Sequence, residues 1–204
     1  MTSPKLGVFG GTFDPPHFGH LILAEEARQQ LGLDRVLWLP VGVSPFKKDL
    51  QISAPNHRVA MVQAAIRDNP AFELSRVDLE RPAPQYSVDT VAILQQQFPT
   101  ARLYWLMGQD SLRDLPNWTR GEEFIHACEI AVLKRPGVTM DLMDLSSVFA
   151  AFPELATRLH WVNAPQMEIA AHDIRQRVKH HRSIRYFVPP AVAEYITHTG
   201  LYTD

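Results

Sequence analysis

The chain has 204 residues, 46% hydrophobic and 21% charged, which suits a globular protein with one sizeable buried core. Its formal net charge of -2 argues against a nucleic-acid partner held by a broad positive field. One cysteine, Cys128, allows no internal disulfide, and no apolar stretch forms a signal peptide or reaches the ~18 residues of a membrane span. We therefore expect a cytoplasmic protein with neither membrane nor nucleic-acid partners, in which Cys128 is a small buried hydrophobe.

Short apolar runs alternate with longer amphipathic stretches, a pattern typical of strands and helices in turn. This alternation predicts a Rossmann-like α/β fold, with a doubly wound parallel sheet, helices on both faces and a small C-terminal helical extension. Gly32 marks the end of the first helix, and residues 137–152 are interpreted as a helical excursion. In chain order the predicted elements are strand 6–9, helix 18–31, strand 36–40, helix 56–68, strand 72–74, helix 88–98, strand 102–107, helix 124–128, strand 130–133, strand 160–162, helix 173–180 and helix 190–198.

The most distinctive segment follows the first predicted strand. Gly10 and Gly11 let the backbone turn sharply, without a Cβ that would obstruct a ligand. The loop then enters a helix whose N-terminal N–H groups and dipole favour phosphate. At this helix start His17 and His20 can donate hydrogen bonds to phosphate oxygens, and Gly19 keeps their face open. These residues predict a nucleotide-phosphate site.

A metal site is an alternative for the two histidines. It would require a third ligand, and histidine pairs that bind metal on a helix usually have i, i+4 spacing. Asp14 is the candidate third ligand, although Pro15 and Pro16 restrict its reach. A lone histidine usually has a structural role, but two histidines that flank a glycine at a helix start favour the phosphate interpretation.

The string His17-Phe18-Gly19-His20, preceded by Gly10-Gly11-Thr12-Phe13-Asp14-Pro15, resembles the HxGH signature of the nucleotidyltransferase superfamily. The longer string is most similar to that of the nicotinate-nucleotide adenylyltransferases, and the resemblance extends along nearly the whole chain. It implies adenylyl transfer from ATP to nicotinate mononucleotide, with Mg²⁺ accompanying ATP and pyrophosphate as the second product. It also implies one domain over residues 1–204, whose C-terminal helical part, from about 165, carries a second phosphate motif.

The same resemblance assigns roles to segments that follow later strands. Lys47 would reach the phosphates, although an exposed basic loop would explain the segment 44–48 if it stood alone. Ser87 and Asp110 would contact the ligands, but both also suit helix capping, and the two interpretations stay open. Trp118 would stack on the pyridine ring, because a flat aromatic face suits an electron-poor ring.

The second phosphate motif departs from the family pattern. Where the family has an Ile-Ser-Ser-Thr-x-Ile-Arg type of string, residues 169–175 are Ile-Ala-Ala-His-Asp-Ile-Arg. The hydroxyl groups that would bond to ATP phosphates are therefore missing, but the amides of a helix N-terminus still favour an anion. Arg175 can neutralise phosphate charge, and His172 either replaces one hydrogen bond or is simply solvated.

These interpretations define three sets of candidate residues, with no metal ligand predicted among them. The catalytic set is His17, His20, Lys47 and Arg175. The ATP-binding set is Gly10, Gly11, Thr12, Phe13, His17, Gly19, His20, Gly108, Asp110, Ile174 and Arg175. The mononucleotide-binding set is Asp14, Lys47, Tyr86, Ser87, Thr90, Trp118 and Arg135.

Two other functions fit the same residues. The first is an adenylyltransferase for another phosphorylated metabolite, such as nicotinamide mononucleotide or phosphopantetheine. The second is a nucleotide-binding sensor without turnover, a possibility that the altered string at 170–172 raises. The sequence decides neither the choice between nicotinate and nicotinamide mononucleotide nor the oligomeric state.

Overall fold

The computed structural model describes residues 3–42, 52–134, 142–165 and 167–203. Its strands are β1 (Lys5–Gly11), β2 (Arg35–Pro40), β3 (Phe72–Leu74), β4 (Arg102–Gly108), β5 (Glu129–Lys134) and β6 (Leu159–Asn163). Its α-helices are α1 (Phe18–Leu31), α2 (Pro55–Ile66), α3 (Ser87–Gln97), α4 (Gln109–Asp114), α5 (Gly121–Ala127), α6 (Leu142–Ala151), α7 (Ala171–Lys179) and α8 (Pro190–Thr199). Short 3-10 helices cover Leu115–Asn117 and Pro153–Thr157.

The strands form one parallel sheet in the order β3-β2-β1-β4-β5-β6, so the order reverses between β1 and β4. Such a reversal opens a crevice beyond the carboxyl ends of the two central strands, because the connections leave them in opposite directions. Gly11 ends β1 and Gly108 ends β4, so the segments after these glycines border the crevice. The predicted doubly wound parallel sheet is confirmed.

Each face of the sheet packs into its own apolar cluster. Val8 and its partner Trp105 on β4 belong to one cluster, whereas the next residue, Phe9, and its partner Trp38 on β2 belong to the other. This follows from the alternation of side chains along a strand, and it explains why strands buried on both faces are continuous apolar runs. Cys128 lies in the first cluster, where burial raises the pKa of its thiol, as expected for a buried hydrophobe.

A third apolar cluster attaches the C-terminal helices to the sheet domain. Met61 of α2 packs with Ile174 of α7 and with Val192 of α8. Next to this cluster, the backbone N–H of Phe18 at the start of α1 donates a hydrogen bond to the carbonyl of Phe187, at 3.0 Å. The C-terminal helical extension is thus confirmed, and it lies against the loop that follows β1.

The predicted elements agree with the structure in type and differ mainly at their ends. Helix α1 and strand β3 have the predicted bounds, and Gly32 ends α1 in the left-handed conformation with a φ of 62°. The six-residue helix α4 was not predicted, whereas α6 confirms the helical excursion. No helix in the described part of the chain is both long enough and apolar enough to cross a membrane.

Candidate active site

The loop after β1 is anchored in the core by Phe13. Its ring is buried and packs against Phe9 and Trp38, with ring centroids 5.6 and 5.1 Å away. A Cβ at Gly11 would lie only 2.8 Å from this ring, so glycine is needed at that position. The side chain of Phe13 is therefore a core residue, and its predicted contact with ATP stays a prediction. Only the backbone of Phe13 remains for such a contact.

The two histidines of the first motif stack on each other at the start of α1. Their ring centroids are 3.7 Å apart, with an angle of 25° between the planes. The backbone N–H of His17 donates to Nδ1 of His20 at 3.2 Å, which makes this nitrogen an acceptor. In the neutral imidazole the ring proton of His20 then lies on Nε2, which becomes a hydrogen-bond donor. The local backbone thus sets the tautomer that a phosphate oxygen requires.

Gly19 provides the space in which the His17 ring lies. A Cβ at position 19 would be 3.0 Å from Nδ1 and 3.1 Å from Cε1 of His17, closer than ordinary van der Waals contact. From the sequence, this glycine was expected to leave room for a nucleotide. The structure shows that its absent side chain makes room for the imidazole.

Arg58 has a structural role that the sequence did not reveal. It is fully buried, and its guanidinium donates to three carbonyl oxygens in different segments: Thr12 at 2.9 Å, Val41 at 2.8 Å and Ser53 at 3.1 Å. Burial lowers the pKa of Arg58, and the nearby carboxylate of Asp14 opposes that shift. One buried cation therefore holds together the loop after β1, the end of β2 and the approach to α2. Its sequence context, the second residue of a His-Arg pair near a helix start, gives no sign of this role.

Asp14 connects the two phosphate motifs. Its backbone carbonyl accepts a hydrogen bond from Nη1 of Arg175 in α7, at 2.7 Å. Its carboxylate is buried and accepts hydrogen bonds from the backbone N–H of Ser53 at 3.1 Å and from the hydroxyl of Tyr202 at 2.6 Å. Asp14 was expected to contact the mononucleotide, but both of its carboxylate oxygens bond within the chain. It acts on the site by connecting its parts.

The second motif begins α7 as expected. Ala170 is the N-cap residue and forms no side-chain capping bond, while His172 in the first turn is exposed. Arg175 is half-buried, and its hydrogen bond to Asp14 brings it to the first motif. Ile174, expected at the ATP site, is fully buried in the C-terminal cluster, so its side chain cannot contact a ligand. Only the backbone of Ile174 remains for a contact.

The segment after β4 borders the crevice. A Cβ at Gly108 would meet no atom within 4 Å, so the space around this residue is open. Gly108 is the N-cap residue of α4, and Asp110 lies exposed in the first turn rather than at the cap. The capping interpretation of Asp110 is therefore wrong, while its proposed contact with the nucleotide stays a prediction.

The predicted mononucleotide segments lie at the start of α3 and before α5. Tyr86 is the N-cap residue of α3, and Ser87 is the first helical residue, so the prediction that Ser87 caps this helix is wrong. Thr90 is fully buried; its hydroxyl donates to Asp78 and accepts from Arg81, both at 2.6 Å. The Thr90 side chain thus supports the segment from within instead of facing a ligand.

Trp118 is half-buried, and its ring centroid is 5.3 Å from that of Phe124. Two residues later Arg120 donates to Asp89 of α3 at 2.6 Å, an ion pair that ties the Trp118 segment to the start of α3. Lys47 and Arg135, predicted to contact phosphates and the mononucleotide, lie outside the described residues.

Comparisons with known proteins agree on one family. Residues 8–177 match the family model described as cytidylyltransferase-like. A probable nicotinate-nucleotide adenylyltransferase of Thermomicrobium roseum is 46% identical over 198 residues, which are 97% of this chain and 91% of that protein. The nicotinate-nucleotide adenylyltransferase of Bacillus subtilis is 35% identical over 198 residues, 97% of this chain and 98% of that protein.

Solved structures show the same fold. The nicotinic acid mononucleotide adenylyltransferase of Plasmodium falciparum complexed with NaAD superimposes with a TM-score of 0.79, at 17% identity, over 98% of this chain and 97% of that one. The same enzyme complexed with APC gives a TM-score of 0.75 at 18% identity, with the same coverage. The first motif also carries the stacked histidine pair, and its residue Asp14 is bonded to Arg175 of the second motif. Because the relatives match along nearly their whole length, the chain belongs to the nicotinate-nucleotide adenylyltransferases of the cytidylyltransferase-like family.

Proposed function

We propose that the chain transfers the adenylyl group of ATP to nicotinate mononucleotide, forming nicotinate adenine dinucleotide and pyrophosphate. The observation that carries the proposal is the stacked histidine pair at the start of α1, joined through Asp14 to Arg175 of the second motif. The names of the relatives support nicotinate mononucleotide as the acceptor. The proposal includes a cytoplasmic location, where ATP is available.

The proposed reaction needs no nucleophile from the protein. A phosphate oxygen of the mononucleotide attacks the α-phosphorus of ATP, and a new P–O bond forms. The bond between the α-phosphorus and the oxygen that bridges it to the β-phosphorus breaks. Pyrophosphate leaves with the electron pair of that bond. The protein contributes positioning and charge neutralisation. Nε2–H of His20 donates to a non-bridging oxygen of the α-phosphate, with His17 stacked beside it.

Arg175 and the start of α7 bind the phosphate tail in this mechanism. One guanidinium nitrogen of Arg175 is held by the carbonyl of Asp14, and the planar group has further donors for the β- and γ-phosphates. The N-terminal amides of α7 supply an anion site without the missing hydroxyl groups. Lys47 is also proposed to contact the phosphate tail of ATP, and this assignment rests on the family resemblance alone.

Mg²⁺ is proposed to enter with ATP rather than in a protein cage. The described ranges contain no group of three or more His, Cys, Asp or Glu side chains that could hold a metal ion. Both carboxylate oxygens of Asp14 already accept hydrogen bonds within the chain, from Ser53 and from Tyr202. ATP oxygens and water suit Mg²⁺, which usually keeps several waters, and the ion would neutralise phosphate charge.

Pyrophosphate release tests the proposed function directly. The purified protein is incubated with ATP and Mg²⁺, and with nicotinate or nicotinamide mononucleotide in parallel reactions. We expect pyrophosphate and a dinucleotide product, formed with a higher kcat/KM for the nicotinate substrate. Binding of ATP without pyrophosphate release from either mononucleotide would instead indicate a sensor. A higher kcat/KM for nicotinamide mononucleotide would refute the proposed acceptor.

The Gly19→Ala variant tests whether the His17 ring must keep its position. The added Cβ would lie 3.0 Å from Nδ1 of His17 and so displace the ring, for which we expect a roughly 10-fold lower kcat. Alanine favours a helix over glycine by up to about 1 kcal/mol, so the unfolding midpoint should not fall. Steady-state kinetics and thermal unfolding of the variant and the parent protein measure both effects. An unchanged kcat would contradict the role assigned to this spacing.

A further inference from the structure

We propose that Tyr202 is a positioning residue for adenylyl transfer, which through its hydrogen bond to Asp14 holds the loop carrying His17 against the second phosphate motif. The inference rests on the proposed function for its kinetic consequence. Its structural part, the immobilisation of the loop after β1, can be tested without turnover.

The bond joins two distant parts of the chain. The hydroxyl of Tyr202 donates to Oδ1 of Asp14 at 2.6 Å across 188 residues of sequence. Burial and the neighbouring carboxylate raise the pKa of the Tyr202 hydroxyl, so it keeps its proton and remains the donor. Tyr202 has a φ of 67°, a left-handed conformation that a tyrosine adopts only where the surrounding structure imposes it. The turn at the end of α8 thus holds this side chain in a defined place.

Asp14 depends on the donors that surround it. Its side chain is 3% exposed, and a buried carboxylate is unfavourable unless hydrogen bonds and nearby positive charge compensate for lost hydration. Ser53 supplies one hydrogen bond to Oδ2, Tyr202 supplies the other to Oδ1, and the buried guanidinium of Arg58 lies nearby. Loss of the phenol donor leaves Oδ1 without the hydrogen bond that holds it, which favours movement of Asp14 towards water.

Movement of Asp14 affects both phosphate motifs at once. The carbonyl of Asp14 holds Nη1 of Arg175 at 2.7 Å, so the position of the second motif depends on this residue. On the other side, Asp14 is followed by Pro15 and Pro16 and then by His17, and the two proline rings restrict the backbone between them. A displacement at Asp14 is therefore passed on to the imidazole instead of being absorbed in the loop.

Packing alone is the competing explanation for Tyr202. The residue packs against the C-terminal apolar cluster, and its hydroxyl lies 3.7 Å from Sδ of Met61. If Tyr202 only filled space, phenylalanine would replace it without loss, because the ring would remain. If the hydroxyl positions Asp14, the same substitution removes the hydrogen bond to Asp14 and keeps most of the packing.

The test compares Tyr202→Phe with Tyr195→Phe. Tyr195 is a matched control, since it also lies in the C-terminal part and its hydroxyl bonds to His57 at 2.9 Å, away from Asp14. Pyrophosphate release is measured well below the unfolding temperature of all variants. We expect about a 10-fold lower kcat for Tyr202→Phe and near-parent kinetics for Tyr195→Phe.

Hydrogen–deuterium exchange of residues 12–20 gives a readout that does not need turnover. We expect exchange in this segment to be at least about 3-fold faster in Tyr202→Phe and unchanged in Tyr195→Phe. In an Asp14→Ala background, Tyr202→Phe should cause no further loss of kcat, because the two residues act through one bond.

Parent-like kcat and exchange in Tyr202→Phe would overturn the inference, as would equal losses in Tyr195→Phe. An inactive parent protein would refute the proposed function instead, and the exchange result would still decide whether Tyr202 holds the loop.

Discussion

Replacing His20 with alanine is expected to lower kcat for adenylyl transfer by about 10²–10³-fold, the loss typical when a preorganised donor to developing charge is removed. Nε2–H of His20 is oriented for this role because Nδ1 accepts the backbone N–H of His17 at 3.2 Å. The interaction matters most while the α-phosphorus is being attacked, so KM for ATP should change much less than kcat.

Pyrophosphate release over a range of ATP concentrations separates the two parameters. His198→Ala is the matched control, because His198 is an exposed histidine of α8 and far in the chain from the first motif. If the His20→Ala protein kept the parent kcat, the role assigned to the histidine pair would be contradicted. A comparable loss in His198→Ala would show that the effect does not belong to the first motif.

Replacing Arg58 with methionine is expected to lower the free energy of unfolding by about 3–5 kcal/mol, the range measured when a buried ionic group is left unbalanced. The substitution removes donors from the carbonyls of Thr12, Val41 and Ser53, all in buried or half-buried surroundings. It also leaves the buried carboxylate of Asp14 without its neighbouring cation. Activity should fall as well, because the three segments border the first motif.

Chemical denaturation of the parent and variant proteins measures this loss. Arg67→Met is the matched control, since Arg67 follows α2 directly and is exposed, with an ion pair to its neighbour Asp68. We expect the control to change stability by less than about 0.5 kcal/mol. A similarly small change in Arg58→Met would contradict the role of Arg58 as the residue that holds the three segments together.

Local features of the sequence predicted the elements well. The apolar periodicity and the glycine stop defined α1 with its observed bounds, because both signals act within a few residues of the chain. The alternation of elements was enough to predict the parallel sheet. The short helix α4 was missed because six residues carry too little periodicity to reveal a helix.

The site was predicted in its chemistry but only partly in its geometry. The histidine pair lies where the first motif placed it, at the start of α1. Phe13, Asp14 and Thr90 have side chains that suit ligand contacts, and only tertiary packing shows that they are buried. The bonds from Arg58 to Thr12 and from Tyr202 to Asp14 span 46 and 188 residues, and no local pattern encodes such pairings.

The second motif lacks the hydroxyl groups of the family pattern, but its arginine, Arg175, is bonded to the first motif. Alanine at 170 and 171 supplies no hydroxyl group to bond phosphate at the start of α7. The hydrogen bond between Arg175 and Asp14 nevertheless brings the cation of that motif to the first one. We therefore expect phosphate recognition to depend more on the loop from Gly10 to His20 and on the residues that hold it.

The most direct test of the central claim is the configuration at the α-phosphorus after transfer from ATP labelled stereospecifically with sulfur at that atom. Direct attack by the mononucleotide, with His17 and His20 stabilising charge and forming no bond to phosphorus, predicts a dinucleotide with inverted configuration. Retention would indicate two successive displacements through an adenylylated protein group and would contradict the roles assigned to both histidines.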